Sequence, residues 1–156
     1  MRIHIVAVGR MKNGPEKLLL SDYSGRFDKL ARSFGLGPLT ITEVEAKRKK
    51  GKSAEAELIR AALPPSSYVM VLDERGKNIT STDFAHTLRH LSSEGTQTLT
   101  LVIGGADGLD PSLVNSADAS LSFGKMVWPH MLVRVMLCEQ LYRSASILAG
   151  TPYHRE

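Results

Sequence analysis

The stretch Thr98-Leu99-Thr100-Leu101-Val102-Ile103-Gly104-Gly105-Ala106-Asp107-Gly108-Leu109 sets the architecture. Its first six residues carry no charge and are mostly branched. That is the pattern of a strand covered on both faces inside a parallel sheet. Gly104 and Gly105 follow at once, and Gly108 comes three residues later. Glycines after a buried strand let the backbone turn sharply and approach a ligand closely. A dinucleotide fingerprint needs G-x-G-x-x-G opening a full strand–helix–strand unit. This loop reads G-G-x-x-G and precedes only a short helical segment after Pro111, so it matches that fingerprint poorly.

Working outward, Tyr68 to Leu72 is a second dense apolar strand, and Asp73 to Asn78 has the composition of a turn. Arg2 to Gly9 reads as a strand, and Leu39 to Val44 as another. Between them Leu18, Leu19, Tyr23, Phe27, Leu30 and Phe34 recur at helical spacing from Pro15 to Phe34, and Gly35 and Gly37 stop the run. Lys47-Arg48-Lys49-Lys50-Gly51-Lys52 reads as a loop. A helix capped by Ser53 follows and ends near Leu63. Ser81 or Thr82 caps a further helix to about Ser92, and Ala119 to Phe123 is a short strand. Pro129 opens a long helix from His130 to Leu148, and the polar tail Thr151 to Glu156 ends the sequence. Strands alternating with helices predict an α/β fold, a mostly parallel sheet flanked by helices, in one domain over residues 1–156.

The last helix predicts a partner. From Met131 to Cys138 only Arg134 is polar. A helix apolar nearly all round needs cover on more than one side, which points to a second copy of the chain. Arg134 itself needs a pairing group, with Glu139, Asp107 or a residue across the dimer as candidates.

Charge is distributed unevenly. The formal net charge is +4, yet residues 1–62 hold 13 Lys/Arg against 7 Asp/Glu. The remainder is slightly acidic. A basic N-terminal part fits a face that meets a polyanion. A single cysteine, Cys138, excludes an intrachain disulfide. The N-terminus lacks a signal-peptide pattern and no apolar run is long enough to span a bilayer, so a cytoplasmic location with no membrane association is expected. His86 and His90 stand four apart on a helix but lack the glutamate of H-E-x-x-H, so no metal is expected.

Two further segments bear on chemistry. Leu121-Ser122-Phe123-Gly124-Lys125-Met126-Val127-Trp128-Pro129-His130 is a loop with apolar side chains that feeds a helix N-terminus. An adenine ring could lie between those side chains. The plain alternative is a connector with a buried Trp128. The tail Pro152-Tyr153-His154-Arg155-Glu156 places an aromatic ring, an imidazole and a guanidinium together, which suits base stacking and a phosphate contact. The alternative is a frayed terminus.

Taken together, these residues resemble the ribosomal large-subunit RNA methyltransferase H family of the SPOUT class. The resemblance rests on Ile103-Gly104-Gly105 with Gly108-Leu109, Leu121-Ser122, Pro129-His130, Leu132-Val133-Arg134-Val135, Glu139-Gln140-Leu141-Tyr142-Arg143-Ala145 and the terminal Pro152 to Glu156. Val6-Ala7-Val8-Gly9 and Leu72-Asp73 with Gly76-Lys77 agree, whereas Gly35 to Lys52 matches loosely. The resemblance implies a C-terminal trefoil knot, a homodimer, and S-adenosyl-L-methionine as cofactor. It implies methylation of N3 of a pseudouridine in helix 69 of 23S rRNA, within the assembled 70S ribosome. By position, the family's cofactor contacts fall on Leu72, Gly104, and Phe123, Gly124, Lys125, Met126, Val127 and Trp128. Candidates for moving or stabilising the N3 proton are His154, Arg155 and Arg134, and the sequence does not choose among them. Tyr153, His154, Arg155, Lys47 and Arg48 are the candidate substrate contacts. A non-catalytic RNA-binding module and a nicotinamide-dependent oxidoreductase are the rival readings, and cofactor binding discriminates among the three.

Overall fold

The computed structural model describes residues 1–45 and 51–155. Five strands, β1 (Arg2–Val8), β2 (Leu39–Val44), β3 (Tyr68–Asn78), β4 (Thr98–Ile103) and β5 (Ala119–Ser122), form one sheet in the order β2-β1-β4-β3-β5. Every pairing is parallel. Five helices connect them: α1 (Pro15–Ala31), α2 (Lys52–Ala62), α3 (Ser81–Ser93), α4 (Pro111–Ser116) and α5 (His130–Leu148).

Side chains alternate across the strands, so each strand feeds two cores. Ile3, Ile5, Leu99, Leu101 and Met70 point to one face and pack with Phe27 of α1, Phe84 and Leu88 of α3, and Leu137 and Leu141 of α5. Val6, Val71 and Val102 point to the other face and pack with Ala56 and Ile59 of α2 and Leu113 of α4. All six residues of β4 are buried, as its uncharged sequence requires of the central strand.

Three sequence expectations change. Asp73 to Asn78, expected as a turn, belongs to β3. Leu72 and Lys77 both pair with Leu121 of β5, so the intervening residues bulge out and the strand resumes. Gly76 makes this possible: a Cβ there would lie 2.8 Å from the backbone of Leu121. The cap of α2 is Gly51 rather than Ser53. Thr80, and neither Ser81 nor Thr82, caps α3, in a reciprocal capping box with Asp83. The run Lys47 to Lys50, expected to form a loop, lies outside the described residues.

Helix α5 also finds more cover in its own chain than its composition suggests. Leu137, Cys138, Leu141 and Ala145 are fully buried under α1, α3 and the sheet. What remains is a narrower apolar strip: Leu132 is exposed and Val133 and Met136 are half-buried, while Leu18 and Leu19 of α1 are also exposed.

Candidate active site

In an all-parallel sheet every strand ends at the same edge, and ligands bind outside that edge. The register brings three of the expected cofactor segments together there. Leu72 pairs with Ile103 of β4 on one side and Leu121 of β5 on the other. Gly104 directly follows Ile103, and Phe123 to Trp128 follow the end of β5. Leu72 is the last β3 residue paired with β4, so Leu72, Gly104 and the start of the 123–128 segment lie on three adjacent strands, side by side.

The glycine loop is tightly built. Gly108 donates its N–H to the Gly105 carbonyl at 3.1 Å and adopts φ +80°. A Cβ on Gly104 would lie 3.0 Å from the Gly108 backbone and from the Leu109 side chain. Gly104 is thus required by the loop's own packing as well as by any ligand. A Cβ on Gly105 would meet the Glu55 carboxylate of α2 at 3.1 Å. Burial and the nearby Asp107 push the Glu55 carboxyl above its ordinary range.

The 123–128 segment is anchored at its start and open along its length. Ser122 Oγ accepts the Gly124 N–H at 3.1 Å and lies 3.1 Å from the Glu74 carbonyl. The sequence shows the Leu121-Ser122 motif without a role for Ser122; its place at the last residue of a strand, two before a glycine, is the signal for this anchor. Met126, Val127 and Trp128 are exposed, at 72%, 84% and 40%. The expectation of a connector with a buried Trp128 fails. Three successive exposed apolar side chains beside the C-terminal edge of the sheet form a surface that a planar ring or a second protein chain could cover.

Arg134 has a different surrounding from any expected for it. It is 1% exposed and pairs with Glu43 of β2, with Nη1 donating to Oε1 at 3.0 Å. Nη2 donates to the carbonyls of Val8 and, at 2.8 Å, Gly9. Its partner is therefore Glu43 and neither Glu139 nor Asp107, and its Nε is buried without a hydrogen-bond partner. Burial lowers its pKa and Glu43 opposes that shift. Its guanidinium is thus engaged by Glu43 and two carbonyls of its own chain. His130, one turn earlier, is half-buried, and burial followed by the Arg134 charge lowers its pKa, which favours the neutral ring.

The tail is ordered against α5. Tyr153 donates its hydroxyl to Glu139 Oε1 at 2.9 Å, its ring lies 4.6 Å from that of Tyr142, and the Arg143 guanidinium sits 4.8 Å above it. Arg143 Nε in turn donates to Glu139 at 3.0 Å. The ring expected to stack on a base is therefore engaged inside its own subunit. His154 is half-buried, and its Nδ1 is buried without a hydrogen-bond partner. Arg155 is exposed. Lys47 and Arg48 lie outside the described residues. Cys138 is buried and its thiol is pushed up to about 11, mainly by burial, which leaves it inert as a nucleophile. Among the described residues no group of three or more His, Cys, Asp or Glu side chains could hold a metal, and no helix is long and apolar enough to cross a membrane.

A glycine-hinged edge on a parallel sheet, followed by a long C-terminal helix, defines a class that comparison makes specific. The family described as "Predicted SPOUT methyltransferase" matches residues 1–154. A solved structure of a probable methylase family protein from Haemophilus influenzae Rd KW20 shares the fold, with a TM-score of 0.50 at 12% identity over 99% of this chain and 70% of that one. Curated relatives are far more similar. Ribosomal RNA large subunit methyltransferase H of Ruegeria sp. (strain TM1040) is 59% identical over 155 residues, 99% of each chain. The protein of the same name from Paracoccus denitrificans (strain Pd 1222) is 52% identical over the full length of both. The chain belongs to the ribosomal RNA large subunit methyltransferase H family of SPOUT methyltransferases.

Proposed function

We propose that this chain methylates large-subunit ribosomal RNA, using S-adenosyl-L-methionine, at N3 of a pseudouridine in helix 69 of 23S rRNA. The substrate is the 70S ribosome in the cytoplasm, and the enzyme is a homodimer whose C-terminal segment carries the family's knot. The observation that carries the reading is the convergence of Leu72, Gly104 and residues 123–128 on one sheet edge, in a chain whose full-length relatives carry that methyltransferase name.

The site suits the cofactor. The Gly104–Gly105 turn keeps side chains away from an approaching ligand, and the exposed Met126, Val127 and Trp128 can cover an adenine ring. Leu72 and the backbone of Phe123, Gly124 and Lys125 complete the cradle. When bound, S-adenosyl-L-methionine supplies a sulfonium-activated methyl group, so the protein has to position the partners and manage one proton.

His154 takes the N3 proton, directly or through a water. Its place in the half-exposed tail, beside the exposed Arg155, supports this. Arg155, exposed beside it, stabilises the deprotonated imide. Tyr153 fixes the tail through Glu139 rather than stacking on a base, and Lys47 and Arg48 contact phosphate. The second subunit covers the residual strip of Leu132, Val133, Met136, Leu18 and Leu19, and lies near the groove of about 520 Å³ between α1, α5 and the end of β5.

Calorimetry with S-adenosyl-L-methionine and single-turnover methyl transfer to ribosomes lacking the modification test the reading. Binding and transfer by wild type, with His154→Ala losing the chemical step at saturating ribosome, are expected. Absence of cofactor binding, or unimpaired transfer by His154→Ala, would refute the corresponding assignment.

A further inference from the structure

The segment that links β1 to α1, Gly9-Arg10-Met11-Lys12-Asn13-Gly14, is held from beneath at several points. Gly9 turns at φ +88° and donates its N–H to the Val44 carbonyl of β2 at 2.8 Å. Met11 donates its backbone N–H to Glu43 Oε1 at 2.8 Å. The same carboxylate oxygen accepts from buried Arg134, which also grips the carbonyls of Val8 and Gly9. At the far end Lys17 of α1 donates to Asn13 Oδ1 at 2.9 Å. A loop clamped in this way from α5 and β2 cannot adapt freely, so what it presents is presented in a set geometry.

It presents positive charge. Arg10 and Lys12 are exposed, as are Asn13 and Lys17, and residues 9–14 contain no carboxylate. The position is close to the cofactor edge. β1 pairs with β4 up to Ala7 and Ile103, and a Cβ on Gly105 would lie 3.2 Å from Val8 Cγ1. The basic loop and the glycine loop therefore emerge from neighbouring strands on the same edge.

We infer that the Arg10–Lys12 loop is a preorganised contact for the phosphate backbone of the RNA substrate, with Arg134 and Glu43 as the positioning residues that hold it beside the methyl-transfer site. The inference rests on the RNA-methyltransferase reading and adds a substrate contact, with its support, to that site. Preorganisation matters because a flexible basic loop must be ordered on binding, whereas a clamped one has already met that cost in folding. Each phosphate neutralised by a lysine or arginine releases counterions, so such a contact is visible as salt dependence.

The test compares wild type, the double variant Arg10→Gln/Lys12→Gln, and Glu43→Gln. Naked 23S rRNA binding is measured across a salt series, and ribosome methylation is measured for KM and kcat separately. Arg10 and Lys12 are exposed, so their replacement leaves the fold intact. The double variant is expected to lower the salt slope by about two and to raise KM by roughly tenfold, with kcat within about twofold and S-adenosyl-L-methionine affinity unchanged. Glu43→Gln, which keeps both cations but loosens the clamp, should move slope and KM in the same direction by less. A wild-type slope in the double variant would overturn the phosphate contact. A less stable Glu43→Gln protein with a wild-type slope would overturn the positioning role. Failure of wild type to methylate ribosomes would count against the methyltransferase substrate instead, and the naked-RNA series still decides the loop.

Discussion

Helix α5 carries two arginine–glutamate pairs that differ in almost every respect. Arg134 is 1% exposed and reaches Glu43, 91 residues away, together with two carbonyls at the end of β1. Arg143 is 25% exposed and pairs with Glu139 one turn earlier on the same helix, where the pair captures Tyr153 of the tail. The first pair binds the helix to the far half of the sheet, and the second binds it to its own continuation. A buried pair with every neighbour in place is costly to break from one side, because the groups left behind are desolvated and unpaired. A local pair near solvent contributes little energy and mainly selects a conformation. The same two residue types thus secure the basic loop at one end of the helix and orient the candidate catalytic tail at the other.

The largest effect should come from Arg134→Met. It removes the guanidinium from the carbonyls of Val8 and Gly9 and from Glu43, which keeps only the Met11 N–H, and should cost about 3 kcal/mol and roughly 10 °C in Tm. Thermal melts check it. A loss no larger than that of Arg143→Ala would erase the contrast between the pairs. Tyr153→Phe comes next: it removes the hydroxyl bond to Glu139 but keeps the ring packing, and should cost about 1 kcal/mol. Its sharper signature is kinetic, a fall in kcat for methyl transfer with cofactor affinity held, because a loosened tail no longer presents His154. Arg143→Ala should cost about 0.5–1 kcal/mol from the partly buried local pair and the lost cation–π contact.

The smallest effect is a pH dependence at the Arg134 end. Burial and the Arg134 charge lower the His130 pKa, so the unfolded chain binds a proton that the folded chain resists. The stability His130 contributes is present above the ordinary imidazole value of 6.5 and falls as pH drops through it. His130→Gln should flatten that acid limb in urea melts recorded between pH 5 and 8, and an unchanged limb would assign it to other groups.

What could be read from the sequence follows the range of the interactions. The dense strand Thr98–Ile103, the start of α5 after Pro129 and the tight glycine turn directly after the buried strand are local properties of composition and spacing, and they stand as read. The extension of β3 through Asp73–Asn78 was hidden, because its polar residues have turn composition and only Gly76, pressed on the backbone of Leu121, lets the strand resume. Glu43 as the partner of Arg134 was hidden for a different reason. The pair depends on how β2 lies beside β1, and a lone glutamate in a half-exposed strand carries no signal of it. For Trp128 the sequence left two readings open, a ring-binding loop or a connector with a buried indole, because burial depends on the fold around the loop; its exposure removes the second.

The proposed activity places one methyl group on a pseudouridine of 23S rRNA. Mass spectrometry of nuclease fragments of 23S rRNA from cells with and without the gene measures that directly. A helix 69 fragment heavier by one methyl group is expected only when the gene is present, restored by wild type and not by His154→Ala. An equally methylated fragment in cells lacking the gene would contradict it.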